Sequence, residues 1–171
     1  SSSFGGPTAL QVAARVGVVE IVNVLLAHNA TLEICSEGGL TPLHDAAVRG
    51  CKGLVTRLLE LGVNVDAATI DGRTALAFAC SKGHTDIVDL LLEKGANPFI
   101  KSAGSTPACI AAFNGHEECV RLIFRKQPSA KGRLLGEVAL SGNVDCLLAL
   151  LSLDIPVDVT YDDCTALQVA A

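Results

Sequence analysis

Residues 74–97 read TALAFACSKGHTDIVDLLLEKGAN, and the order of residue types in this stretch decides the fold. Thr74 can cap a helix through its hydroxyl, which accepts from a backbone N–H in the first turn. Ala79-Cys80 is a pair of small residues that lets a neighbouring helix approach closely. Gly83 tolerates the left-handed backbone angles of a sharp turn. Beyond it, Ile87, Val88, Leu91 and Leu92 recur at helical spacing and make an apolar stripe. The stretch therefore predicts two short antiparallel helices joined by a tight turn. One such unit cannot bury its own apolar face, so several must stack.

The chain supplies the partners. Thr8-Ala9-Leu10, Thr41-Pro42-Leu43 and Thr74-Ala75-Leu76 stand 33 residues apart, and Thr106-Pro107-Ala108 follows after 32. A glycine lies nine residues beyond each Thr, at Gly17, Gly50, Gly83 and Gly115. Pro42 and Pro107 fall in the first helical turn, where a missing N–H costs nothing. Thr41-Pro42-Leu43-His44-Asp45-Ala46-Ala47 with Gly50 resembles the ankyrin signature, and so does the run from Gly83 to Asn97. The resemblance spans essentially the whole chain. It implies an all-α ankyrin-repeat solenoid of stacked helix-turn-helix units in a single domain, 1–171. About five repeats, near 4–36, 37–69, 70–101, 102–128 and 129–160, would precede a partial sixth at 161–171.

Two departures from the period stand out. Gly115 to Gly142 is only 27 residues, and the segment from Arg125 to Gly132 replaces the usual long turn. Its projecting hairpin is expected to be lost, leaving an irregular linker and a weak joint. The fifth unit has Arg133-Leu134-Leu135-Gly136 where a Thr-Pro-Leu-His signature would stand, yet keeps Ala139, Gly142 and Leu147-Leu148. Its second helix is still expected to stack. The final TALQVAA, 165–171, repeats residues 8–14, so the parent protein is expected to continue past Ala171.

Composition narrows the function. Half of the 171 residues are hydrophobic, 18 % are charged and 4 % aromatic, which suits a core of small and branched aliphatics. A net charge of −5 argues against general affinity for nucleic acid or anionic membranes. No apolar stretch is long enough to insert in a membrane, and Ser1 to Gly6 is no signal peptide. The seven cysteines form no CxxC or metal-like cluster; their wide spacing fits reduced thiols in a cytoplasmic or nuclear protein. Cys119 and Cys146 fall where Ile21 and Ile87 stand in other units, a core position. In the family, a histidine in the place of His44 ties neighbouring turns together, and those at His84 and His116 open second helices. No HExxH, GxxxxGK[ST] or GxGxxG occurs. Neither a catalytic site, a metal site nor a cofactor is expected, and the chain is not read as an enzyme.

The resemblance also implies a concave surface formed by first helices and turn tips, where a partner protein or peptide would sit. The register puts Val12, Arg15, Asp45, Val48, Arg49, Arg73, Phe78, Lys82, Ile110 and Phe113 there. Apolar residues rimmed by charge suit an interaction site; the blander account is that they pack sideways between repeats. Arg121, Arg125, Lys126, Lys131 and Arg133 form a basic cluster that could take an anionic ligand, or could be a solvated linker. The expected function is non-catalytic protein–protein interaction by a module of a larger protein, monomeric as an isolated domain. The alternative is a regulatory or substrate-recruiting arm of a larger enzyme, ubiquitin-ligase adaptor or ion channel.

Overall fold

The computed structural model describes residues 9–28, 38–141 and 144–152 and the short segments 160–161 and 164–165. Four helix pairs follow one another: α1 (Ala9–Val16) with α2 (Val19–Ala27), α3 (Pro42–Arg49) with α4 (Lys52–Glu60), α5 (Ala75–Lys82) with α6 (Thr85–Glu93), and α7 (Pro107–Phe113) with α8 (Glu117–Lys126). Then come α9 (Ser129–Ser141) and α10 (Val144–Leu151). The first helices pack as a row, α1–α3–α5–α7, and the second helices as another, α2–α4–α6–α8. This is an all-α solenoid. The named strands are one two-residue pair, β1 (Thr160–Tyr161) and β2 (Cys164–Thr165), antiparallel, with β1 beside α9.

Local chemistry produces these pairs as the sequence predicts. The hydroxyls of Thr41, Thr74 and Thr106 accept from the backbone N–H of His44, Ala77 and Cys109 and so cap α3, α5 and α7. Gly50 and Gly83 close α3 and α5 at φ +75° and +72°. Both glycines answer a second demand. A Cβ on Gly50 would lie 2.8 Å from Cε1 of His84, and one on Gly83 would lie 2.6 Å from Nδ1 of His116. Each imidazole thus lies over the glycine of the preceding turn.

The core runs between the rows. Ala46, Ala47, Ala79, Cys80 and Ala111 are fully buried, so the first helices sit close. Leu54, Ile87 and Cys119 occupy one repeated core position and are buried. Ile21, at the same register position, departs from expectation: it is 49 % exposed. In the fourth pair the Cys119 thiol at that position lies 3.6 Å from the Thr85 hydroxyl of the preceding second helix, and among the described residues no second helix precedes α2.

Between pairs, short hairpins join successive units. Thr69 and Arg73 exchange backbone and hydroxyl hydrogen bonds around Gly72, and Ser102 and Ser105 pair around Ala103-Gly104. Neighbouring hairpins are tied together: Ile70 N donates to the Gly38 carbonyl at 3.0 Å, and Ser102 Oγ to the Asp71 carbonyl at 3.1 Å.

The fifth pair is arranged differently from expectation. Only Gln127 and Pro128 separate α8 from α9, so most of the stretch read as an irregular linker is helix. Two residues reach at most about 7 Å, too little to carry the chain back to the first-helix row. Accordingly α9 packs against α8, and the following helix, α10, lies beside α7. The expected order of inner and outer helices is exchanged. Leu135 and Leu150 are buried, whereas Leu148, expected in the stacking stripe, is 58 % exposed.

Candidate functional site

The first helices and hairpins present one face on which most of the predicted partner-binding residues are accessible. Val12, Arg15, Arg49, Lys82, Arg73 and Phe113 are exposed; Asp45, Val48, Phe78 and Ile110 are half-buried. Phe113 stands out at 69 % exposure, at the C-terminal end of α7. Ile70, at the tip of a hairpin, is 85 % exposed. Both are large apolar side chains left in water, a costly arrangement at about 25 cal/mol per Å² of apolar surface.

Phe78 is held rather than presented. Its ring packs against the core and meets His44 edge-on, with centroids 5.6 Å apart. The Arg73 guanidinium lies 5.6 Å above it, while Arg73 Nε also pairs with Asp71 at 2.9 Å. The Thr69 hydroxyl and Arg73 together hold the Asp71 carboxyl below its ordinary pKa. Hairpin, aromatic ring and guanidinium are therefore one assembly, and the sequence alone did not reveal that Phe78 is shared between packing and surface. Burial raises the Asp45 carboxyl above its usual range, against the opposing fields of Arg15 and Arg49.

Two cations of the basic cluster have carboxylate partners among the described residues. Arg121 pairs with Glu117 one turn back, and Lys126 Nζ reaches Asp89 at 2.9 Å and Glu93 at 3.0 Å. Arg125 is exposed; the side chains of Lys131 and Arg133 lie outside the described residues. The carboxylates that flank the cluster thus already engage two of its cations.

A family profile described as "Ankyrin repeats (3 copies)" matches residues 2–69 and 52–133. The chain belongs to the ankyrin-repeat family. Among solved structures it is similar to the crystal structure of the human ASB11 ankyrin repeat domain, at 28 % identity and a TM-score of 0.70. That match covers 96 % of this chain and 77 % of the other. A search of curated proteins found no match.

In this ankyrin-repeat chain His44 joins neighbouring turns, and His84 and His116 stand at the N-caps of α6 and α8, each as expected. Nδ1 of His44 accepts from the Thr41 backbone N–H at 3.0 Å, which leaves the proton on Nε2 to bond the Ala67 carbonyl at 2.9 Å. His84 and His116 bond the carbonyls of Val48 and Ser81, each at 3.2 Å, in the preceding unit. Gln11 stands where His44 does one unit later, and its Nε2 donates to the Leu40 carbonyl at 3.2 Å. At the position of His84 the second unit has Cys51, and a Cβ on Gly17 would lie 2.5 Å from its Sγ. Cys80 and Cys119 are buried, and burial pushes both thiols up in pKa, away from nucleophilic reactivity. No helix among the described residues is long and apolar enough to cross a membrane. Ankyrin repeats in general are protein–protein interaction modules, and the chain has the architecture of one.

Proposed function

We propose that this chain is a non-catalytic binding module that holds a partner protein on the face built from α1, α3, α5, α7 and the adjoining hairpins. The observation that carries the proposal is the exposure of Phe113, next to half-buried Ile110 on α7, at the end of a row of first helices that also carries the exposed cations Arg15, Arg49 and Lys82. An aromatic side chain left in water, on a face that also carries exposed cations, has the composition of an interface anchor. A face built on capped helices would lose little ordering entropy when it binds.

The test is a pair of measurements on Phe113→Ala: thermal unfolding, and affinity for the partner recovered by pull-down with the intact chain. Truncating a central aromatic anchor removes on the order of 2 kcal/mol or more of binding energy. An exposed side chain leaves stability within about 0.5 kcal/mol. Retained binding would remove this face from consideration.

A further inference from the structure

The two rows of helices differ in charge. Across α1, α3, α5 and α7 there are three cations, Arg15, Arg49 and Lys82, against one carboxylate, Asp45. Across α2, α4, α6 and α8 there are seven carboxylates and five cations. An acidic chain has therefore set aside one face as basic. Its cations stand one per helix on three successive first helices, all exposed and without an ion pair among the described residues. The fourth first helix carries no charge and ends in exposed Phe113. Charge and apolar anchor are thus laid out in order along the stack.

We infer that the partner segment gripped by this face is an extended acidic peptide that ends in an apolar anchor. Its carboxylates would face Arg15, Arg49 and Lys82, and its apolar side chain would lie on Phe113 and Ile110. This rests on the binding-face reading above and narrows it to one class of partner. Packed helices lie about 8–10 Å apart, and an extended chain rises about 3.3 Å per residue. Carboxylates about three residues apart therefore match successive cations. Three cations are too few for strong backbone neutralisation of a nucleic acid, and the chain's own net charge of −5 opposes a polyanion approaching elsewhere. An acidic peptide is steered to the basic row and repelled by the acidic one.

The experiment is selection of random displayed peptides on the intact chain, on Phe113→Ala, and on the triple variant Arg15→Glu, Arg49→Glu and Lys82→Glu. All three substituted cations are exposed, and unchanged thermal unfolding verifies that the variants fold. The wild type is expected to enrich peptides carrying Asp or Glu near every third residue and an aromatic or aliphatic end. Their affinity should fall at least roughly tenfold in the triple variant and weaken with added salt. Neutral or basic enriched peptides, no enrichment, or the same acidic set on the triple variant would overturn the inference. If such non-acidic binders are lost in Phe113→Ala, the binding face stands and only the acidic class falls; if they are indifferent to it, both fall. Tighter binding of a single-stranded oligonucleotide than of the enriched peptides would assign the cations to nucleic acid. Self-association of the chain that the triple variant abolishes would assign them to a second copy. Either result would also overturn it.

Discussion

At the scale of single residues, His44 couples a helix cap to the next hairpin. Its Nδ1 must be unprotonated to accept from Thr41, and burial holds its pKa below the ordinary histidine value despite the carbonyl bonds that oppose the shift. A side chain whose folded pKa is depressed stabilises the fold above its unfolded pKa, about 6.5. That contribution is lost as pH falls from there through the lowered folded value. The chain contains its own control, because Gln11, at the same place in the first unit, reaches a carbonyl further along the chain, that of Leu40, with no titration. The wild type should therefore lose unfolding midpoint between neutral and mildly acidic pH by more than His44→Gln does. Equal slopes in denaturant titrations across that range would show that His44 is not the group responsible.

At the scale of helices and turns, the repeat was legible and its breakdown only half so. Thr caps, small pairs and turn glycines are local signals, each tied to a backbone need, and the structure meets them at Thr41, Thr74, Gly50 and Gly83. Helical spacing likewise puts Phe113 and Arg49 on an outward side of their helices, and both are exposed. The sharing of Phe78 with His44 and Arg73 was not readable, because it depends on how a hairpin folds back over the next helix. The fifth pair was misread for a related reason. Matching Leu147-Leu148 to earlier apolar runs assumed that α10 is a second helix, whereas the two-residue connection makes α9 take the place beside α8. The two arrangements differ in which leucines matter. Leu135→Ala should cost about 2–5 kcal/mol of stability, as a buried leucine does. Leu148→Ala should stay within about 0.5 kcal/mol. Chemical denaturation of both variants decides it, and the reverse order would restore the conventional stacking of α10.

At the scale of the whole molecule, contacts join neighbours in the stack, and long-range order is relayed from unit to unit. The relays are specific: His84 to Val48, His116 to Ser81, Ile70 to Gly38 and Ser102 to Asp71. In such a quasi-one-dimensional array, stability is a sum of unit and interface contributions, so damage should spread outward from its site and fade. Leu10 and Leu76 allow a controlled comparison. They occupy the same place in the first and third units, both are almost fully buried, and both lose the same atoms on substitution by alanine. Each truncation should cost about 2–5 kcal/mol locally. Leu76 sits in α5, flanked by α3 and α7, so Leu76→Ala should lower amide protection on both sides of the third unit. Leu10 sits in α1, which has α3 as its one first-row neighbour among the described residues, so Leu10→Ala should loosen the first two units and spare α7 and α8. Native-state hydrogen exchange reads this directly, because local opening and global unfolding give different patterns of protection. Equal loss of protection from α1 to α8 in both variants would mean that the stack opens as one cooperative body, and the nearest-neighbour account would be wrong.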